Sequence, residues 1–210
     1  MPGAAALFAR TFLIGIAVAA PVGAMGVLCI QRTLVHGWWA GLATGAGIAT
    51  ADGIYAGLAA FGIAAVSETL VAMQPALRIG GGAVLVWLGL RAIITPPAHD
   101  SARVADSARL GTLYAGSVGL TLTNPMTIMA FGAVFAASGL VAQPGAGTAA
   151  VATLGVACGS LSWWVALATG TALARHAAGD KLLVWVNRAS GGAIAASGLA
   201  AIVVGMIALR

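Results

Sequence analysis

The sequence predicts an all-α integral membrane protein, and its composition and segment lengths both support this class. Of the 210 residues, 60% are hydrophobic and only 7% are charged, and the mean hydropathy is +1.01. A soluble domain carries about 25% charged residues, so water cannot be the solvent for most of this surface. The apolar stretches run to about 20 residues or more, enough to cross roughly 30 Å of hydrocarbon. A membrane β-barrel would instead show alternating strands of about ten residues.

We predict six transmembrane helices in a single domain that covers residues 1–210. The first helix begins like a secretory signal but runs directly into a second apolar stretch, so we expect it to be retained. The longest connection, residues 96–109, is polar and opens with two prolines. The predicted helices cover residues 8–30, 38–66, 75–95, 110–140, 148–174 and 182–209.

The first and fourth predicted helices contain a proline in their interior. Pro21 is followed by Gly23, and Pro125 is preceded by Thr123 and Asn124. Proline removes a backbone donor and clashes with the preceding turn, and in lipid the freed carbonyl must be covered by protein or water. We therefore expect both helices to be broken, with the free N–H groups of a half-helix start forming an anion site. A simple kink in a packed helix is the alternative.

The second predicted helix carries Asp52, a carboxylate deep inside an apolar segment. A charge at the bilayer centre costs roughly 2.5–3.5 kcal/mol even on lenient insertion scales, and such residues typically face a bundle interior or a watery cavity. Because burial disfavours the charged form of a carboxylate, Asp52 is a candidate to bind a substrate ammonium, a proton, or both in turn. Tyr55 lies less than one turn further and is expected to line the same pocket. A neutral or paired structural residue between helices is the alternative.

Small residues also recur every four positions in the second helix, as Gly41 and Gly45 and again as Gly53 and Gly57. Such pairs allow two helices to approach closely. We predict close packing of this helix against another one. A seam between two copies in a homodimer is an alternative use of the same residues.

The two halves of the chain resemble each other, which predicts an internal duplication. An Arg-x-x-Gly-Gly-Ala motif starts at Arg78 and again at Arg188, an offset of 110, and the two helix-breaking prolines are related by an offset of 104. A repeat of three helices has odd parity, so its second copy must cross the membrane upside down. We predict two inverted three-helix repeats, residues 1–95 and 110–210, with the site near the midplane at their interface, as in many secondary transporters.

In the predicted repeat, the fifth helix contains the position that corresponds to Asp52 of the second helix. At the offset of 110, Asp52 corresponds to Ser162, so the site should be electrically asymmetric. Trp163 and Trp164 follow Ser162 and are candidates for the pocket walls.

The positively charged side chains predict the orientation of the chain. The net charge is +5, but the basic residues are scattered at helix ends without a basic stripe, which argues for topology signals and against a nucleic-acid site. Connections 1–2, 3–4 and 5–6 hold seven Lys and Arg residues, and the opposite side holds three. The three basic connections are therefore expected in the cytoplasm, with both termini outside. This count assigns Arg32 to the first connection and Arg78 to the opposite side.

Four motifs occur in order along the chain: Pro21-Val22-Gly23-Ala24, Ala51-Asp52-Gly53, Leu88-Gly89-Leu90-Arg91 and Asn124-Pro125. With the elements above, they resemble the lysine exporter family, the LysE/RhtB group of bacterial amino-acid exporters. Two departures are Ala24, where the family motif has a second proline, and Met126, where a Lys often follows Asn-Pro and could meet a carboxylate. The resemblance implies export of amino acids or close derivatives, driven by a proton or ion gradient.

We therefore predict a secondary active exporter of amino acids or related small zwitterions in the bacterial inner membrane, with no enzyme activity, cofactor or metal. Asp52 is expected to be the coupling or ammonium-binding carboxylate, and the broken helices are expected to bind the substrate carboxylate. The predicted site residues are Asp52, Pro21, Gly23, Tyr55, Thr123, Asn124, Pro125, Ser162 and Trp163.

Two other classes of function are alternatives. A metal-ion exporter would need several Cys, His or carboxylate ligands, and we find one intramembrane Asp. A membrane thiol-disulfide carrier would need Cys29 and Cys158 to meet, but these cysteines break the repeat symmetry and neither follows a proline.

Overall fold

The computed structural model describes residues 3–21, 23–61, 74–94, 107–124, 127, 130–131, 145–177 and 180–208. Within these ranges the fold is all-helical and has no strand, in agreement with the predicted class. The helices are α1 (Ala4–Ala19), α2 (Ala24–His36), α3 (Trp38–Ala60), α4 (Gln74–Ile94), α5 (Ser107–Leu122), α6 (Ala146–Ala177) and α7 (Asp180–Ile207).

Two stretches of the described helices are individually long and apolar enough to cross a membrane, Ala146–Ala174 and Arg188–Ile207. The pair α1 and α2 qualifies as a third if it forms one broken span, since the two helices are bent by 81°. The helix α1 ends at Ala19 and α2 begins at Ala24, so the interruption falls where Pro21 was expected to cause it. The second expected interruption follows α5, but Pro125 lies outside the described residues.

In the structure, the connection between the first two predicted transmembrane helices is a single residue. The helix α2 continues to His36, and α3 starts at Trp38. Gly37 between them has φ 88°, a conformation that glycine adopts without a steric penalty.

Arg32 therefore lies inside α2, and its assignment to a cytoplasmic connection is wrong. Its side chain is buried. One guanidinium nitrogen, Nη1, donates to Thr44 Oγ1 (3.1 Å), Ser117 Oγ (2.8 Å) and the Leu113 carbonyl (3.3 Å). Because α3 and α5 supply these acceptors, the charge is satisfied between helices and does not need the aqueous side.

The predicted close packing of the second helix is confirmed. A Cβ added at Gly45 would lie 2.5 Å from the Trp164 Cβ, and one added at Gly53 would lie 3.1 Å from the Ala157 Cβ. Gly57 faces Thr153 of the same neighbour. The small residues of α3 therefore allow its backbone to approach α6 closely.

The contacts also give the relative directions of the helices. Gly45 meets Trp164 and Gly57 meets Thr153, so α3 and α6 are antiparallel. In contrast, α3 runs parallel to α5, because Gly47 meets the Tyr114 carbonyl and Tyr55 meets Leu122 further along both helices.

Contacts between glycines and their neighbours also give the relative directions of two further helix pairs. Thr11 of α1 meets Gly155, and Gly15 meets Ser160, so α1 and α6 are parallel. The helices α4 and α7 are antiparallel, because Gly82 meets Gly198 while Gly89 meets Gly191.

Candidate functional site

A cavity of about 640 Å³ lies among these helices. Ligand sites in proteins typically measure about 300–1,000 Å³ and combine an apolar lining with a few polar groups. The lining here is mostly apolar, and among the described residues it contains one acidic and one basic side chain, Asp52 and Arg78. The cavity is therefore large enough for a small polar solute and offers it both signs of charge.

Asp52 lies on the wall that α3 forms with α6, and it is only 2% exposed. Its Oδ2 accepts a hydrogen bond from the Ser160 hydroxyl at 2.6 Å, and the Ser160 oxygen in turn accepts one from Trp164 Nε1 at 3.1 Å. Gly53 permits the close approach of α6 that this contact requires. A hydrogen bond to a carboxylate is short and strong, so the chain from Trp164 to Asp52 fixes the orientation of the carboxylate.

Arg78 lies on α4 and lines the same cavity. Gly81, one turn further along α4, is so close to α5 that an added Cβ would lie 2.8 Å from Thr123 Oγ1. Arg78 is thus on the side of the cavity where α5 ends. Arg78 was counted as a topology signal and was not among the predicted site residues. Its position in an apolar helix, within the repeated Arg-x-x-Gly-Gly-Ala motif, was the available signal.

The break between α1 and α2 opens into the cavity. Pro21 and Gly23 line it, followed by Ala24, Met25 and Gly26 of the first turn of α2. The N-cap residue is Gly23, which has no side chain to cap the helix start, and the first turn of α2 has no acidic residue. N–H groups of a first turn have no partner within their own helix, and they give the helix start a partial positive charge.

Thr123 and Asn124 line the cavity from the end of α5. The cavity therefore brings together Asp52, Pro21 and Gly23 with these two residues, five of the nine predicted site residues. Pro125, a sixth, falls outside the described part of the chain.

The remaining three predicted residues have other contacts. The Tyr55 hydroxyl donates to the Leu122 carbonyl, so Tyr55 holds the end of α5. Ser162 donates to the Gly159 carbonyl of its own helix, and Trp163 packs beside the apolar core.

Trp164, which was also predicted as a pocket wall, lines the cavity, and Ser160 of the same helix makes the contact with Asp52. They lie four residues apart and therefore on one face of α6. That face is the one in contact with Asp52.

The structure also bears on the two alternative functions, metal-ion export and thiol-disulfide transfer. Among the residues that the structure describes, no three His, Cys, Asp or Glu side chains lie close enough to hold a metal ion. Cys29 is a buried free thiol whose sulfur donates to the Gly41 carbonyl, and Cys158 is an exposed free thiol.

Apolar helices that surround a cavity with buried charge define a membrane transport protein. A family profile agrees with this class: the profile described as LysE type translocator matches residues 16–205. The chain belongs to this family, which confirms the resemblance seen in its motifs. Members of the family are transporters and not enzymes.

Relatives with curated names share about the same level of identity. The chain is 29% identical over 154 residues to the uncharacterized membrane protein YahN of Escherichia coli (strain K12), which covers 72% of this chain and 68% of YahN. It is 29% identical over 114 residues to the homoserine/homoserine lactone efflux proteins of Salmonella typhi and Salmonella typhimurium, covering 54% of this chain and 55% of each relative. The chain thus matches about half the length of those efflux proteins. No solved structure is significantly similar to it.

Proposed function

We propose that this protein exports amino acids or closely related zwitterions across the bacterial inner membrane, driven by a proton or ion gradient. The observation that carries the proposal is the cavity in which a nearly fully buried carboxylate, Asp52, shares the lining with the uncapped start of α2. A substrate with an ammonium group and a carboxylate group fits these two features. The family, and the homoserine in the name of the efflux relatives, favour an amino-acid substrate.

In this proposal Asp52 binds the cation, either the substrate ammonium or the coupling proton. Desolvation costs a buried carboxylate much of its hydration, so a bound cation or proton stabilises it. The hydrogen bond from Ser160 keeps the carboxylate pointing in one direction while its partner changes. The substrate carboxylate binds toward the start of α2, where the helix carries partial positive charge, and toward Asn124, which lines the same cavity.

The six-helix inverted repeat is part of the proposal. In this repeat, the broken helix α1–α2 corresponds to the helix that begins with α5, α3 corresponds to α6, and α4 corresponds to α7. Exchanging the two halves therefore turns the α1–α6 pair into the α5–α3 pair. Both pairs are parallel and in close contact. The exchange also returns the antiparallel pairs α3–α6 and α4–α7 to themselves. These relations support two inverted halves that rock against each other around a central site.

The proposed orientation keeps both termini outside. Arg32 is buried between helices and Arg78 lines the cavity, so neither is counted as a topology signal here. Six basic residues then remain in the predicted cytoplasmic connections and two on the opposite side. The positive-inside rule therefore favours the same orientation as before. A homodimer remains a further proposal.

The test is efflux of a panel of labelled amino acids from loaded proteoliposomes, with and without a pH gradient. We expect gradient-dependent efflux of at least one neutral amino acid by the wild type and its loss in Asp52→Asn, which keeps the side-chain shape but removes the charge. Ser162→Ala is the matched control, because Ser162 bonds only within its own helix among the contacts described here. Failure of the folded wild type to move any amino acid contradicts the proposed substrate class, whereas unchanged efflux by Asp52→Asn contradicts only the role of Asp52.

A further inference from the structure

The cavity contains a second charged group that the proposed function does not yet use. Arg78 and Asp52 line the same space from different helices, α4 and α3. Tyr55, less than one turn past Asp52, meets the Leu122 carbonyl, and Gly81, one turn past Arg78, meets Thr123. Each charged residue is thus about one helical turn from a residue that contacts the end of α5.

This placement brings opposite charges from two helices into the lining of one cavity. Asp52 is held by its contact with Ser160 of α6. Arg78 shares the lining with Thr123 and Asn124 from the end of α5. A guanidinium presents its N–H donors in a planar fork that matches a carboxylate in two parallel hydrogen bonds. A lone ammonium or a neutral carbonyl cannot use that fork in the same way.

We infer that the Arg78 guanidinium binds the substrate carboxylate and makes the transporter select amino acids with a free carboxylate over derivatives in which this group is an amide or an ester. The inference rests on the proposed function and adds a charged partner at the carboxylate end of the same substrate, which the proposed function places toward the start of α2 and Asn124. Asp52 pairs with the ammonium end, and the apolar lining between the two charges surrounds the rest of the molecule.

The repeat supplies a matched control for this residue. Arg188 starts the second copy of the same Arg-x-x-Gly-Gly-Ala motif. Its side chain on α7 is exposed and is not part of the cavity lining. Replacing Arg188 therefore changes the net charge and the motif as much as replacing Arg78 does, without touching the proposed site.

The experiment is isothermal titration calorimetry on the purified full-length protein in detergent. Leucine is compared with leucinamide and homoserine with homoserine lactone, because each pair keeps the ammonium and differs at the carboxylate. Measuring binding avoids leakage of the uncharged bases through vesicles. In Arg78→Gln we expect the affinity for the acids to fall by roughly 10- to 100-fold, the loss typical of a hydrogen-bonded charged pair, with the amide and lactone unchanged. Arg188→Gln should bind all four like the wild type.

Arg78→Lys provides a second variant if Arg78→Gln does not fold. It keeps the positive charge but loses the planar fork, so its loss should be smaller and again confined to the acids. Unchanged acid affinity in Arg78→Gln, or an equal loss for acids and derivatives, overturns the inference. Absence of amino-acid efflux by the wild type in proteoliposomes overturns the proposed function itself, which separates the two failures.

Discussion

The contact between α4 and α7 depends on a glycine whose replacement should separate the helices. A Cβ added at Gly89 would lie 2.5 Å from the Gly191 carbonyl oxygen, 2.5 Å from the Ala195 nitrogen and 2.8 Å from the Ala195 Cβ. Two of these atoms belong to the backbone of α7, so no side-chain rotation can relieve the clash. An ordinary contact begins at 3.4 Å, so α7 must move away by about 0.9 Å in Gly89→Ala.

The cost of this movement can be compared with a control in the same helix. Overpacking of a tight contact typically costs about 1–3 kcal/mol, whereas replacing a helical glycine by alanine otherwise stabilises by about 0.5–1 kcal/mol. An added Cβ at Gly80 would meet nothing within 4 Å among the described atoms. We therefore expect Gly89→Ala to be destabilised by about 1–2 kcal/mol, and Gly80→Ala to be as stable as the wild type or slightly more stable.

The measurement is unfolding of the purified protein with increasing SDS in mixed micelles, followed by tryptophan fluorescence and by helical circular dichroism. Gly89→Ala should unfold at a lower SDS fraction than the wild type, and Gly80→Ala at the same or a slightly higher fraction. Equal stability of Gly89→Ala and Gly80→Ala would refute the close approach of α4 and α7 and the reasoning built on it.

Two further predictions concern buried polar contacts. Ser160→Ala should reduce gradient-driven efflux by about 10- to 100-fold, because removal of a hydrogen bond to a charged group costs about 1.5–3 kcal/mol. Ser162→Ala should leave the rate unchanged, and equal effects in the proteoliposome assay would contradict the role of Ser160. Ser117→Ala should destabilise the protein by about 1–3 kcal/mol, because the buried guanidinium of Arg32 loses an acceptor. Arg32→Met should be better tolerated in the same SDS titration, since it leaves no buried charge unpaired and the Thr44 and Ser117 hydroxyls keep their bonds to backbone carbonyls. A larger loss in Arg32→Met would contradict this account.

Much of the helical layout could be predicted from apolar segment length and proline position. The helix α3 starts at its predicted position, and α6 begins within two residues of its own. The interruption at Pro21 follows from the chemistry of proline alone. Asp52 could also be singled out, because a carboxylate in an apolar helix is costly wherever it faces lipid.

The placement of the basic side chains could not be predicted in the same way. Counting Lys and Arg by connection treats each of them as a topology signal. Whether Arg32 is instead buried depends on Thr44, Ser117 and the Leu113 carbonyl, which come from two other helices. No local pattern around Arg32 shows that these acceptors converge on it.

The contact between Asp52 and Ser160 could not be predicted for a different physical reason. The repeat offset relates Asp52 to Ser162 along the chain, but it does not fix how a helix is rotated about its own axis. Two residues turn the side-chain direction by about 200°, so Ser160 meets Asp52 while Ser162 bonds within its own helix. Trp164 could be named from the sequence as a pocket wall, but which face of α6 meets α3 is set by contacts between the helices.

The asymmetry of the charged groups is consistent with the proposed exchange of two inverted halves. Rocking of the halves needs similar backbones, and the glycine contacts of α3 with α6 and of α4 with α7 concern backbone shape and carry no charge. Binding a zwitterion needs one carboxylate and one cation. The first half supplies both, as Asp52 and Arg78, and the corresponding positions of the second half hold an uncharged serine and an exposed arginine, Ser162 and Arg188. A second charged pair in the same cavity would add a cost of desolvation without a substrate group to satisfy it, so a near-symmetric scaffold with a single set of charges is the arrangement that this chemistry favours.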